Sequence, residues 1–197
     1  MFIEMKKRKY QQKRRADKTE ETRQQIVVAT VKLHEELGPA QTSIKAIAEQ
    51  AGVQRLTVYR HFPDEASLFR ACTSHWLEHH PLPAVSDWSD YDNPLDLTSR
   101  ALLDFYRYYR KNERMWTVAY RDVDEVEALQ EPMAAVEAYL DQIRDELLSV
   151  WKVKTEDKKQ LAMTLRHCLR FSTWRSLKLE KLSDRKMVEL VQNWLAI

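Results

Sequence analysis

The chain has 197 residues, with 32 Lys and Arg against 30 Asp and Glu for a formal net charge of +2, and only two glycines and two cysteines. That length supports one sizeable core or two unequal ones, and two glycines are too few for a turn-rich β fold or for the glycine-rich loops that cradle phosphates and nucleophiles. With no apolar run near the ~18 residues of a membrane span and no apolar signal region at the N-terminus, an all-α, cytoplasmic protein is expected, with Cys72 and Cys168 as reduced core thiols.

The charge is uneven: residues 1–80 carry 14 Lys and Arg against 10 Asp and Glu, and residues 81–197 carry 18 against 20. Residues 6–18 hold eight Lys or Arg and almost no apolar side chains, so 1–18 is expected to be a flexible basic arm able to neutralise phosphates or enter a minor groove. From Thr19 a helical pattern begins, with Ile26, Ala29, Thr30, Leu33 and Leu37 at spacings of three and four, and Gly38-Pro39 ends it.

The stretch from Thr42 to Phe62 packs two short helices around a turn. Thr42 or Ser43 caps the first; Ile44, Ile47, Ala48 and Ala51 share one face; Gly52 takes the positive φ that stops it. The second, Gln54–Phe62, is expected to turn Leu56, Val58 and Phe62 inward and to present Gln54, Arg55, Thr57, Tyr59, Arg60 and His61, all hydrogen-bond donors. This is the pattern of a helix-turn-helix whose second helix suits a DNA groove. Asp64 then caps a fourth helix running to about His80, with Leu68, Phe69, Cys72 and Trp76 inward.

Residues 81–94, rich in Pro, Asp and Ser, read as an exposed connector. They separate a DNA-binding domain at 19–80 from a helical domain at 81–197, expected to hold helices at Leu95–Asn112, Glu113 to about Tyr120, Glu125–Trp151, Thr155–Leu182 and Ser183–Ile197, about nine in all. The last two carry apolar stripes, Leu161, Leu165, Cys168, Leu169 and Ser172 on one and Met187, Leu190, Val191, Trp194 and Leu195 on the other, which suit a four-helix interface between two subunits. If a cavity is present, Tyr106, Trp116, Tyr120, Arg166, His167 and Arg170 are the groups able to orient a ligand. Arg166 and Arg170, one turn apart, are also suited to pairing with carboxylates on a neighbouring helix. His75, Glu78 and His79 spell H-x-x-E-H, but with no third ligand apparent and a helix end close by they read as histidines favoured by the helix dipole; no metal or cofactor is expected.

Residues 23–69 resemble the DNA-binding domain of the TetR family of one-component regulators. The resemblance rests on Ile26, Ala29, Leu33, Gly38, Thr42, Ile47-Ala48, Ala51-Gly52-Val53, Thr57, Tyr59, His61-Phe62 and Leu68. It implies an all-helical homodimer that binds a double-stranded operator through its N-terminal domains and a small-molecule effector through a divergent C-terminal domain that also dimerises. Carried over by position, Thr42, Ser43 and Lys45 face phosphates, Gln54, Arg55 and Thr57 meet base edges, and Tyr59, Arg60 and His61 clamp the backbone. The chain departs from the family pattern at Glu65, where a phosphate-binding Lys is common, at Leu56, where a small residue or Pro is common, and at His34, where an aromatic residue is common. Part of the electrostatic task would then fall to Arg60, Lys45 and the arm. The expected function is a transcriptional regulator, a repressor relieved by an effector. A DNA-bound protein-interaction regulator without a pocket, or an enzyme with an appended helix-turn-helix, are the alternatives; no catalytic set supports the last.

Overall fold

The computed structural model describes residues 2–195. Met1, Ala196 and Ile197 lie outside the described residues, and with them the end of the helix expected at Ser183–Ile197. Among the described residues there are ten α-helices and no strand: α1 Phe2–Leu37, α2 Ile44–Ala51, α3 Arg55–His61, α4 Glu65–His79, α5 Pro94–Lys111, α6 Glu113–Asp122, α7 Glu127–Ser149, α8 Thr155–Cys168, α9 Phe171–Leu179 and α10 Asp184–Gln192. Short 3-10 turns lie at Pro39–Gln41 and Val85–Trp88. None of the helices is long and apolar enough to cross a membrane.

The chain forms two compact units. The first holds the residues up to His79 together with Val118–Pro132; the second holds His80–Thr117 and the residues from Met133 onward. Helices α6 and α7 therefore each contribute to both.

Helix α1 runs through the basic stretch in place of the expected flexible arm, starting well before Thr19. Residues 10–18 are all exposed, so tertiary burial does not hold them. Lys, Arg, Gln and Ala are good helix formers, and extending a helix already anchored at Ile26 needs no new nucleus. Local contacts agree: the Arg14 guanidinium lies 6.0 Å from the centroid of the Tyr10 ring, and Thr19 Oγ1 donates to the Arg15 carbonyl at 2.8 Å.

The core of the first unit is made by Ile26, Val27 and Leu33 of α1, Ile47 and Ala48 of α2, Val58 and Phe62 around α3, and Leu68 and Cys72 of α4. Phe69 and Trp76 are buried beside them, completing the inner stripe expected of α4, whereas Leu37 is exposed. Burial pushes the Cys72 thiol up to about 12, so this cysteine packs as an inert apolar group.

Where α1 ends, Gly38 turns at φ 94° and its N–H donates to the His34 carbonyl at 2.9 Å. The end of α6 closes this corner. Arg121 Nη2 donates to the Leu37 carbonyl at 2.9 Å, and the buried Asp122 carboxylate accepts from the Ala40 N–H at 3.0 Å while paired with Arg121 at 2.6 Å. A Cβ on Gly38 would sit 2.1 Å from Arg121 Nη2 and 2.5 Å from Asp122 Oδ2, so a side chain here would displace the Arg121–Asp122 pair from the corner, and the positive φ favours glycine in its own right.

In the second unit the aromatic rings of α5 organise the core. Tyr109 lies within 5.4–6.0 Å, centroid to centroid, of Trp116, Phe171 and Trp174. The connector at 81–94 is pinned rather than loose: Trp88 is buried and its Nε1 donates to Asp104 at 3.1 Å. The single helix expected over Thr155–Leu182 is two, broken at Leu169–Arg170, where Arg170 is extended at ψ 142°. The carbonyls freed at the break are taken up by hydroxyls: Thr173 donates to His167 O, Tyr106 to Cys168 O and Tyr109 to Leu169 O. The apolar stripes expected to face a partner subunit face inward instead. Leu161, Leu165, Cys168, Leu169, Met187, Val191 and Leu195 are all fully buried within the unit, and only Ser172, Leu190 and Trp194 of those stripes are exposed.

His34 stacks 4.8 Å from Phe69 and is buried, and burial pushes its imidazole down to about 4, against the pull of Asp122. The unfolded chain takes up this proton near 6.5. Between these values the unfolded state binds more protons, so stability present above pH 6.5 is lost as pH falls through about 4. The loss is on the order of 3 kcal/mol. Urea unfolding of the wild type and His34→Phe across this window is expected to show a steep decline in the wild type and a shallower one in the variant. The Asp122 carboxyl, held below the usual carboxylate range, titrates beneath it.

Candidate nucleic-acid interface

The two helices of the central unit are set by local chemistry. Ser43 is the cap of α2, its Oγ accepting from the Ala46 N–H at 3.2 Å. Thr42 serves elsewhere, donating its hydroxyl proton to the Gly38 carbonyl at 2.8 Å. Gly52 ends α2 at φ 68°, ψ 31°, and a Cβ there would meet nothing within 4 Å, so the backbone angle alone requires glycine. Val53 N–H returns to the Ala48 carbonyl at 2.9 Å, and the chain re-enters a helix at Arg55.

Helix α3 is two turns long and divides cleanly. Val58 and Phe62 are buried, with Thr57 and His61 half-buried beside them. Arg55, Leu56, Tyr59 and Arg60 are exposed, and at 100° per residue they share one arc of about 140°. Leu56 is 56% exposed, which corrects the inward position expected for it. The spacing 55, 56, 59, 60 shows that arc once Val58 and Phe62 are fixed as the buried pair. Gln54 precedes the helix, exposed and with no side-chain capping bond, so its amide is not used in closing the helix end.

Around this arc, Ser43 keeps its hydroxyl proton for an outside acceptor, because its oxygen accepts the cap bond, whereas the Thr42 proton is already donated. Lys45 is exposed and reaches Glu49 at 3.9 Å, a surface pair of little strength. Behind α3, the Arg23 guanidinium lies 5.0 Å from the Phe62 ring centroid. Helix α4 begins at Glu65 after Asp64, whose Oδ1 accepts the Ser67 N–H at 2.6 Å; that bond and the one from the Ser67 side chain hold the Asp64 carboxyl below its ordinary range. The α4 start thus presents two carboxyl groups beside the cationic arc. Sequence reasoning overlooked Arg121 and Asp122, which fix the α1–α2 corner from 80 residues away, and no local signal points to them.

The six residues suggested as ligand contacts are scattered. Tyr106 is fully buried with its hydroxyl on the Cys168 carbonyl, and burial pushes that phenol well above its usual range. Trp116 is buried against the rings of Tyr108 and Tyr109. Arg166 pairs with Glu137 and, at 2.8 Å, with Asp141 of α7, the carboxylate pairing foreseen for it. His167 and Arg170 are exposed, and Tyr120 is half-buried in the first unit.

Residues 26–72 match the family model for bacterial regulatory proteins of the tetR family. The chain is 31% identical over 115 residues to the HTH-type transcriptional regulator TtgR of Pseudomonas putida, an alignment covering 58% of this chain and 52% of TtgR. It thus spans about half the length of the curated relatives it matches. Among solved structures, its fold is similar to a TetR-like transcriptional regulator from Rhodococcus sp. RHA1, with TM-score 0.64, 20% identity and coverage of 88% of this chain and 93% of that one. It is also similar to the fatty acid degradation regulator FadR from Bacillus halodurans, with TM-score 0.62, 17% identity and coverage of 88% and 93%. Residues 26–72 thus form a domain of the tetR family of bacterial regulatory proteins.

Proposed function

We propose that the chain is a sequence-specific DNA-binding transcriptional regulator that acts as a homodimer and leaves its operator when a small molecule binds the second unit. The exposed arc of α3, with two guanidinium groups, a phenol and a free amide at its start, carries the reading. In a major groove, Arg55 can grip guanine O6 and N7, Gln54 can do likewise for adenine, and Leu56 and the Thr57 methyl can touch thymine methyls. Tyr59, Arg60 and His61, with Ser43 and Lys45, meet phosphates on either side, while the Thr42 hydroxyl and N–H are both spent on the turn that positions Ser43. The basic face of α1 adds a salt-dependent attraction.

Two copies must hold their α3 helices about 34–36 Å apart to read successive major grooves. The surface that suits this pairing is the exposed side of the last helices, where Met163, Leu190 and Trp194 are 62%, 39% and 40% exposed. The His167 ring lies 6.3 Å from that of Trp194, so the end of α8 and the residues just after α10 present this face together. For the effector, Arg166 Nη1 is buried without an acceptor in the protein, a donor suited to an oxygen of the ligand. An effector changes DNA affinity only by binding one α3 spacing more tightly than another. Helix α6 suits such coupling, because it begins in the second unit and ends at the Arg121–Asp122 clamp on the α1–α2 corner.

Selection of DNA sites by the purified protein tests the central reading, and failure to enrich any sequence would sink it. Arg55→Ala is expected to lose about 1–3 kcal/mol at one base position while phosphate contacts persist. Glu65→Lys removes a repulsive carboxylate beside the backbone path and is expected to tighten binding at equal salt, measured by fluorescence anisotropy. Trp194→Asp is expected to shift the protein toward monomer in light scattering after size exclusion, with helical content unchanged.

A further inference from the structure

Helix α4 ends in a cluster that the DNA-reading surface does not use. One ring nitrogen each from His75 and His79 and a carboxylate oxygen of Glu78 lie within 4.8 Å of one another. Positions 75, 78 and 79 fall on one face because i, i+3 and i+4 are neighbours on a helix. Glu78 supplies the third ligand that the sequence pattern alone did not suggest, since in the protease arrangement of this motif the glutamate is a base.

A second observation concerns the other nitrogens. His75 Nδ1 lies 3.0 Å from the Gln24 side-chain amide of α1, and His79 Nδ1 lies 2.8 Å from the His75 carbonyl. As placed, the Gln24 Nε2–H donates to His75 Nδ1, and a half-turn of that amide would let His75 Nδ1–H donate to its oxygen instead; His79 Nδ1–H donates to the His75 carbonyl. The His79 Nε2 lone pair is then free, and that of His75 becomes so once the Gln24 amide turns, the arrangement that orients histidines toward metals. The helix C-terminus adds a favourable potential for a cation. Two guanidiniums line the same cleft between α1 and α4, but Arg70 is engaged by Glu131 at 3.3 Å and Arg23 by the Phe62 ring and Glu20.

We infer that His75, Glu78 and His79 form a binding site for one divalent transition-metal ion at the end of α4, oriented from α1 by Gln24. Two imidazoles and one carboxylate select zinc, cobalt, nickel or copper over magnesium and calcium, and water completes the coordination. Metal bonds of about 2.0–2.2 Å draw ligand atoms to roughly 3.3 Å apart. Glu78 is exposed and can turn inward, His79 is exposed with its Nδ1 on the His75 carbonyl, and half-buried His75 is the anchor. Because Gln24 and the ligands lie on different helices, occupancy fastens α4 to α1 and stabilises the first unit. This inference is independent of operator and effector.

The test uses the full chain, without an affinity tag and stripped with chelator. Titration with Co2+, followed by its visible absorption, and with Zn2+ by calorimetry is expected to show saturable one-to-one binding and a raised thermal midpoint. His79→Ala and Glu78→Gln, both at exposed positions, are expected to weaken binding strongly while circular dichroism stays unchanged. Gln24→Ala, which removes no ligand, is expected to weaken it by about 10- to 100-fold. No saturable binding at millimolar metal, or binding that survives His79→Ala, would overturn the inference. So would an equal loss in His80→Ala, which would mean diffuse capture by neighbouring histidines.

Discussion

One buried carboxylate holds the corner on which the first unit depends. Asp122 is almost fully enclosed, takes the Ala40 N–H and pairs with Arg121, which also reaches the last carbonyl of α1. Burial alone would raise its pKa, and the Arg121 hydrogen bond, the Ala40 N–H and the Arg121 charge together outweigh that tendency. The corner sets where α2 begins, and α2 sets the turn into α3. The direction of the groove-facing arc therefore rests partly on two residues at the end of α6. Removing Arg121 alone would leave a buried charge poorly matched, a larger loss than the exposed half of that pair suggests.

The central helices are built so that stability and recognition use different atoms. Val58 and Phe62 hold α3 to the core, the Ser43 oxygen closes α2, and the angle at Gly52 joins them. None of these groups is needed at the surface. Arg55, Leu56, Tyr59 and Arg60 are left with little internal work, so they can change with the target sequence at small cost to the fold.

What the sequence made legible was local. The Ser43 or Thr42 cap, the left-handed Gly52, the Asp64 cap and the inner stripe of α4 each follow from a few neighbouring residues, and each is found as expected. The misplacements have non-local or cumulative causes. Helix α1 extends because propensity suffices once packing has fixed its later turns. Leu56 faces outward because the buried pair Val58 and Phe62 fixes the rotation of α3. The stripes on α8 and α10 face inward because α10 packs along α5 and the Tyr106 and Tyr109 hydroxyls of α5 meet the carbonyls at the end of α8, which no periodicity on the later helices records. The α6 clamp is separated by about 80 residues from the turn it closes, and an Arg-Asp pair has no distinctive pattern of its own.

The break between α8 and α9 has a further consequence. It exists because hydroxyls from Tyr106 and Tyr109 reach the carbonyls of Cys168 and Leu169, some 60 positions later in the chain. A phenylalanine at either place would keep the ring packing and strand a carbonyl in an apolar interior, so the two phenols and the bend form one heritable unit. In related chains they should be gained and lost together: where the later helix runs straight, phenylalanine should occupy both positions.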